Sequence, residues 1–96
     1  MTVFAVEYRY ESGADERIAE VRPAHRAWLS GLAAEGTVLA SGPLADGSSA
    51  LIVFRAEDRG SLDALLAQDP IAGLVAEKTA TEWNPIIGLL AESAAA

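Results

Sequence analysis

Residues Thr2 to Tyr10 alternate. Phe4, Val6, Tyr8 and Tyr10 fall on one face, and Ala5, Glu7 and Arg9 on the other. A period of two in a run rich in β-formers predicts a half-buried strand. Ser12-Gly13 breaks it, and the period then lengthens. Ile18, Val21, His25, Trp28, Leu29 and Leu32 recur at intervals of three or four, apart from the adjacent Trp28 and Leu29. At about 100° per residue these positions make one stripe of a helix. Asp15 is placed to cap it, and Gly36 is a natural stop. Pro23 interrupts the stretch, so the helix either kinks there or begins near Arg22-Pro23.

A second strand is expected over Thr37–Leu44, ending at Gly42-Pro43, with turn chemistry in Asp46-Gly47-Ser48. Ala50–Arg55 contains the apolar run Leu51-Ile52-Val53-Phe54, as a central strand buried on both faces would. The two read as a hairpin. Glu57-Asp58 leads into a second helix with Leu62, Leu65 and Leu66 on its apolar side. Asp69-Pro70 stops it, because the residue before proline is pushed out of α geometry. Ile71–Ala76 is a connector with room for one helical turn. Lys78–Trp83 alternates again as a fourth strand, and Pro85 puts its end at a sheet edge. The domain is expected to span residues 1–90, with 91–96 a frayed tail.

The order strand–helix–strand–strand–helix–strand is the ferredoxin-like βαββαβ motif, an α+β fold with an antiparallel sheet. Both helices cover one sheet face. The other face meets water or a partner; several strands carry apolar side chains on both sides, so a homodimer with two sheets face to face is expected.

Composition narrows the function classes. Ninety-six residues suit one domain with a thin core. The net charge of −7, from 7 basic and 14 acidic residues, argues against nucleic acid and against an anionic membrane surface. The chain has no cysteine, which removes disulfides, thiolate nucleophiles and zinc fingers. Its first residues lack the basic, apolar pattern of a signal peptide, and no apolar run approaches spanning length, so a cytoplasmic protein is expected.

The chemistry-bearing positions are few. His25, the only histidine, falls inside an apolar stripe, where an imidazole must find a hydrogen bond. It is either a core histidine satisfied by a carbonyl or a reactive group beside a cleft. Extending the second helix from Leu65 and Leu66 brings Asp69 to its core-facing side, where a carboxylate opposes the helix dipole. An ordinary turn aspartate is the simpler reading of Asp69 taken alone. Together, two inward ionisable groups on helices of the same sheet face suggest a His–carboxylate pair, in which the carboxylate orients the imidazole and leaves one ring nitrogen as general base. Ser41, just before Gly42-Pro43, is either a donor in the same pocket or a locally bonded strand serine. It lacks the strained elbow of a hydrolase nucleophile. Arg22 and Arg26 flank the histidine, as attractors for an anion or as solvated surface groups. No ligand spacing for a metal and no glycine-rich phosphate loop exist, so neither metal nor cofactor is expected.

The run Arg22-Pro23-Ala24-His25-Arg26-Ala27-Trp28-Leu29, then Glu35-Gly36, Ala40-Ser41-Gly42-Pro43-Leu44, Asp69-Pro70 and Trp83-Asn84-Pro85-Ile86-Ile87-Gly88, resembles the YCII-related family from about Val3 to Gly88. The resemblance implies a ferredoxin-like dimeric α+β barrel, an active site built on His25 and Asp69, and Ser41 lining the same cleft. It implies lyase-type chemistry on small cyclic compounds as one kind of activity. Two function classes follow. One is a cofactor-free enzyme that uses His25 and Asp69 for proton transfer, giving elimination or isomerisation of a small organic acid, phenol or cyclic ketone. The other is a non-catalytic dimeric module that binds a small metabolite or assists a partner enzyme. A third reading makes His25–Asp69 a purely structural bond.

Overall fold

The computed structural model describes residues 1–95. Its elements are β1 (Thr2–Tyr10), α1 (Asp15–Ala34), β2 (Val38–Pro43), β3 (Ser49–Ala56), α2 (Arg59–Leu66), a 3-10 turn (Ala72–Leu74), β4 (Val75–Glu82) and α3 (Leu89–Ala95). The four strands form one sheet in the order β2-β3-β1-β4, and every neighbouring pair is antiparallel. This is the ferredoxin-like α+β arrangement.

Strand alternation builds the core. Phe4 lies opposite Phe54 and Val6 opposite Ile52, so the buried rings and branched chains of the two central strands share a face. Ile18 and Leu29 of α1 and Leu62 and Leu66 of α2 close over them. Trp28 packs its ring 6.3 Å from that of Phe54.

Local chemistry explains most boundaries. Asp58 caps α2, its side chain accepting from the Ser61 amide at 2.8 Å, which satisfies an otherwise orphaned donor. Gly36 adopts φ +83 just past α1, a left-handed position that favours glycine. Asp46 Oδ1 accepts from both the amide and the hydroxyl of Ser48 in the β2–β3 turn.

Three expectations change. α1 runs through Pro23 without a break, and it starts after Ala14 with no side-chain cap. Asp15 is therefore a first-turn residue, where its charge favours the helix dipole. Second, α2 ends at Leu66, three residues before Asp69, and the chain continues in tight turns: the Asp69 amide donates to the Leu66 carbonyl and the Ala72 amide to the Asp69 carbonyl. Third, the segment expected to fray from residue 91 belongs to α3, so the boundary at residue 90 falls inside a helix. Gly88 turns the chain, its carbonyl receives the amides of Ala91 and Glu92, and leucine and alanine carry the helix by propensity. Residue 96 of that segment lies outside the described residues.

α3 sits on the sheet side away from α1 and α2. Arg55, which follows the core-facing Phe54, reaches the Ser93 carbonyl at 2.9 Å. Val3 and Val53 are buried on that side too, whereas Leu51 is exposed.

Candidate active site

Asp69 is buried in the tight turn between α2 and β4. A lone buried carboxylate is expensive, and three donors surround this one. Oδ1 receives the Ile71 amide at 3.1 Å and lies 2.7 Å from His25 Nδ1, and Oδ2 receives the Tyr8 hydroxyl at 2.9 Å. Three separate elements, α1, β1 and the turn after α2, thus meet at one side chain.

The bond fixes what the imidazole can do. A carboxylate accepts from Nδ1–H, so the neutral ring keeps its lone pair on Nε2. Among the described residues Nε2 has no protein partner, and His25 lines an open cavity of about 660 Å³. That volume suits a small organic molecule. The cavity lies between α1 and β2. Tyr10, Arg22, Arg26, Ser30 and Ser41 supply its polar lining, and Leu29, Val38 and Ala50 part of its apolar wall.

A one-residue bulge decides how β2 faces this space. Val38 lies opposite Phe54, but Ala40 lies opposite Val53, so Leu39 is the extra residue. Beyond a bulge the alternation is re-aimed. Ser41 comes opposite the core residue Ile52, on the cavity side. Strict alternation from Val38 would have turned it away.

The five residues singled out in the sequence therefore divide cleanly. His25 and Asp69 are bonded to each other, and Arg22, Arg26 and Ser41 line the cavity on the side of His25. Ser41 makes no bond to His25, so no hydrolase-like triad exists. Among the described residues no group of three or more His, Asp or Glu side chains gathers as metal ligands would.

Two tyrosines escaped the sequence reading. Tyr8 completes the shell of Asp69, and burial, followed by the charge and hydrogen bond of Asp69, pushes its phenol far above the ordinary 10.0. Tyr10 lies in the cavity wall with its ring 6.3 Å from that of Tyr8. Burial and the charge of Asp69 also raise Tyr10, while Arg22 and Arg26 pull it down. The signal for Tyr8 was in the pattern. A tyrosine on the buried side of a central strand needs a partner for its hydroxyl.

Fold and site together define a small α+β protein with a buried histidine–carboxylate pair opening onto a cavity. The YCII-related domain matches residues 1–84, and the chain belongs to that family. No curated protein matches it in sequence. Among solved structures, it is similar to the 5-chloro-2-hydroxyhydroquinone dehydrochlorinase of Burkholderia phenoliruptrix AC1100 in complex with 2,5-dihydroxybenzoquinone. The TM-score is 0.75 at 22% identity, covering 84% of this chain and 92% of that one. An antibiotic biosynthesis monooxygenase superposes with TM-score 0.58 at 17% identity, over 91% and 100% of the chains. A NIPSNAP domain protein from Burkholderia xenovorans gives 0.53 at 15%, over 88% and 94%. These likenesses establish the fold. No helix is long and apolar enough to cross a membrane among the described residues.

Proposed function

We propose that this chain is a small cofactor-free acid–base catalyst acting on a small phenol, cyclic ketone or organic acid. The observation that carries the proposal is the 2.7 Å bond from His25 Nδ1 to a fully satisfied Asp69, which leaves Nε2 without a protein partner among the described residues on a ring that lines the cavity. In the proposed reaction Nε2 takes a proton from the substrate. The freed electron pair forms a new double bond, and a leaving group departs with its own pair, or the proton returns at another atom. Asp69 stabilises the imidazolium formed in between. Tyr8 and the Ile71 amide hold Asp69 in place, and Ser41 steadies a substrate oxygen. Acid–base help of this kind contributes about 10²–10⁴ in rate. A dehydrochlorinase of the same fold, bound to a small oxygenated ring, supports the substrate class.

The proposal includes a second copy of the chain. Leu51, on the sheet side that α3 covers only in part, is exposed, as are Trp83, Ile86, Ile87 and Leu89 toward the C-terminal end, and a homodimer joined through that sheet side would bury Leu51.

The test is turnover. Chloride release from 5-chloro-2-hydroxyhydroquinone, and deuterium uptake from D2O by small cyclic ketones and phenols, should be detectable with the native protein and lost in His25→Gln. Native-level turnover in that variant overturns the assignment. Saturable binding without turnover, with the variant losing affinity alone, would identify a binding module instead.

A further inference from the structure

Six arginines and one lysine face fourteen carboxylates in this chain, so a basic side chain has ample choice of partners. Arg9 pairs with Glu77, Arg17 with Glu11 and Arg59 with Asp63. Arg55 bonds the Ser93 carbonyl. Arg22 and Arg26 have no carboxylate or carbonyl partner among the described residues, and both line the cavity beside His25.

Their placement on α1 leaves them unpaired. The positions one turn from Arg22 are Ile18, Ala19, His25 and Arg26. Those one turn from Arg26 are Arg22, Pro23, Leu29 and Ser30. None is acidic. Two like charges at i and i+4 repel, which weakens a helix. Asp69 is not their counter-charge, since its oxygens are occupied by His25, Tyr8 and the Ile71 amide. Tyr10 stands in the same wall, close enough to feel both guanidiniums, and its hydroxyl has no protein partner among the described residues.

We infer that Arg22, Arg26 and the Tyr10 hydroxyl form an anion-binding corner beside His25, so that the substrate enters as a carboxylate or an equivalent oxyanion rather than as a neutral molecule. Guanidinium donors recognise such groups through charge-assisted hydrogen bonds. A phenol held protonated by burial adds one neutral donor. The anion supplies the charge that the Arg22–Arg26 pair lacks, and it anchors the substrate ring within reach of Nε2. This deepens the proposed function, and it rests on the cavity of that reading being the substrate site.

The test compares isosteric probes, 2,5-dihydroxybenzoate and neutral 2,5-dihydroxybenzamide, by titration calorimetry on the native protein. The carboxylate should bind at least about ten-fold more tightly, the size expected of one charge-assisted bond. Arg22→Gln and Arg26→Gln should each remove most of that advantage and leave amide binding within two-fold. Tyr10→Phe should lose a smaller part. Added salt should weaken only the carboxylate. Equal affinity for the two probes, or no binding of the carboxylate at millimolar concentration, overturns the inference. Neither result touches the role of His25 as base, which is read separately from turnover and from the imidazole tautomer.

Discussion

Tyr8 and Asp69 lie 61 positions apart in the chain, yet the hydroxyl of one donates to Oδ2 of the other at 2.9 Å, out of reach of solvent. That bond makes a core tyrosine the brace of the candidate site. Tyr8→Phe should keep the fold and leave Oδ2 without its donor. The expected cost is about 1–3 kcal/mol, readable as a lower urea midpoint and a Tm drop of several degrees. Unchanged stability would show that Oδ2 does not depend on this hydroxyl.

The same residue sets an alkaline limit. Burial, then Asp69, raises the Tyr8 phenol above its ordinary 10.0, so the folded chain keeps a proton that the unfolded chain has lost. This contribution is fully present below pH 10 and is lost as pH rises beyond it. Above pH 10 the native protein should lose stability more steeply than Tyr8→Phe, by about 1.4 kcal/mol per pH unit for one group. Tyr10, shifted in the same direction, remains in both proteins. Urea titrations at stepped pH give the comparison, and parallel slopes would refute it.

Asp69→Asn changes charge with little change of shape. An asparagine amide can donate to Nδ1, which would move the ring proton to Nε2 and remove the base. Turnover should fall by about 10²–10⁴. With a single histidine in the chain, nitrogen NMR reads the tautomer directly. Native Asp69 should hold the proton on Nδ1, and an unaltered ring signal in the variant would contradict the orienting role.

Pro23 lies inside α1, where it denies the Ala19 carbonyl its usual donor. An interior proline costs a helix roughly 3 kcal/mol. Pro23→Ala should therefore raise stability by about 1 kcal/mol or more in urea unfolding. A less stable variant would mean that the ring is needed by its surroundings.

The proposed dimer makes a solution prediction. Leu51→Glu puts a charge at an exposed position of the sheet side opposite α1 and α2, away from the core between sheet and those helices. Light scattering should find the native chain as a dimer and the variant as a monomer with unchanged circular dichroism. A native monomer would remove the dimer from the proposal.

The periodicities were enough for the βαββαβ order because each element buries one face, and that need is written locally. The alternation of Phe4, Val6 and Tyr8 and the stripe through Ile18, His25 and Leu29 both reappear as buried positions. Asp58 starts α2 through its side-chain cap and Gly36 ends α1 through its positive φ, both local effects, whereas α2 stops at Leu66, ahead of Pro70. The Leu39 bulge was hidden, since an extra residue in a ladder depends on the partner strand. α3 was hidden because seven residues of alanine-rich chain carry little periodicity.

By itself the sequence determined that His25 is buried and in need of a partner, because burial follows from the helical stripe around it. It also singled out Asp69, though by a helix extension that the chain does not make. Only the tertiary structure decided that the two meet, that Tyr8 completes the shell of the carboxylate, and that Ser41 faces the cavity. Those facts depend on distances between residues 44 and 61 positions apart and on one bulge. Packing sets them, and no local pattern records them.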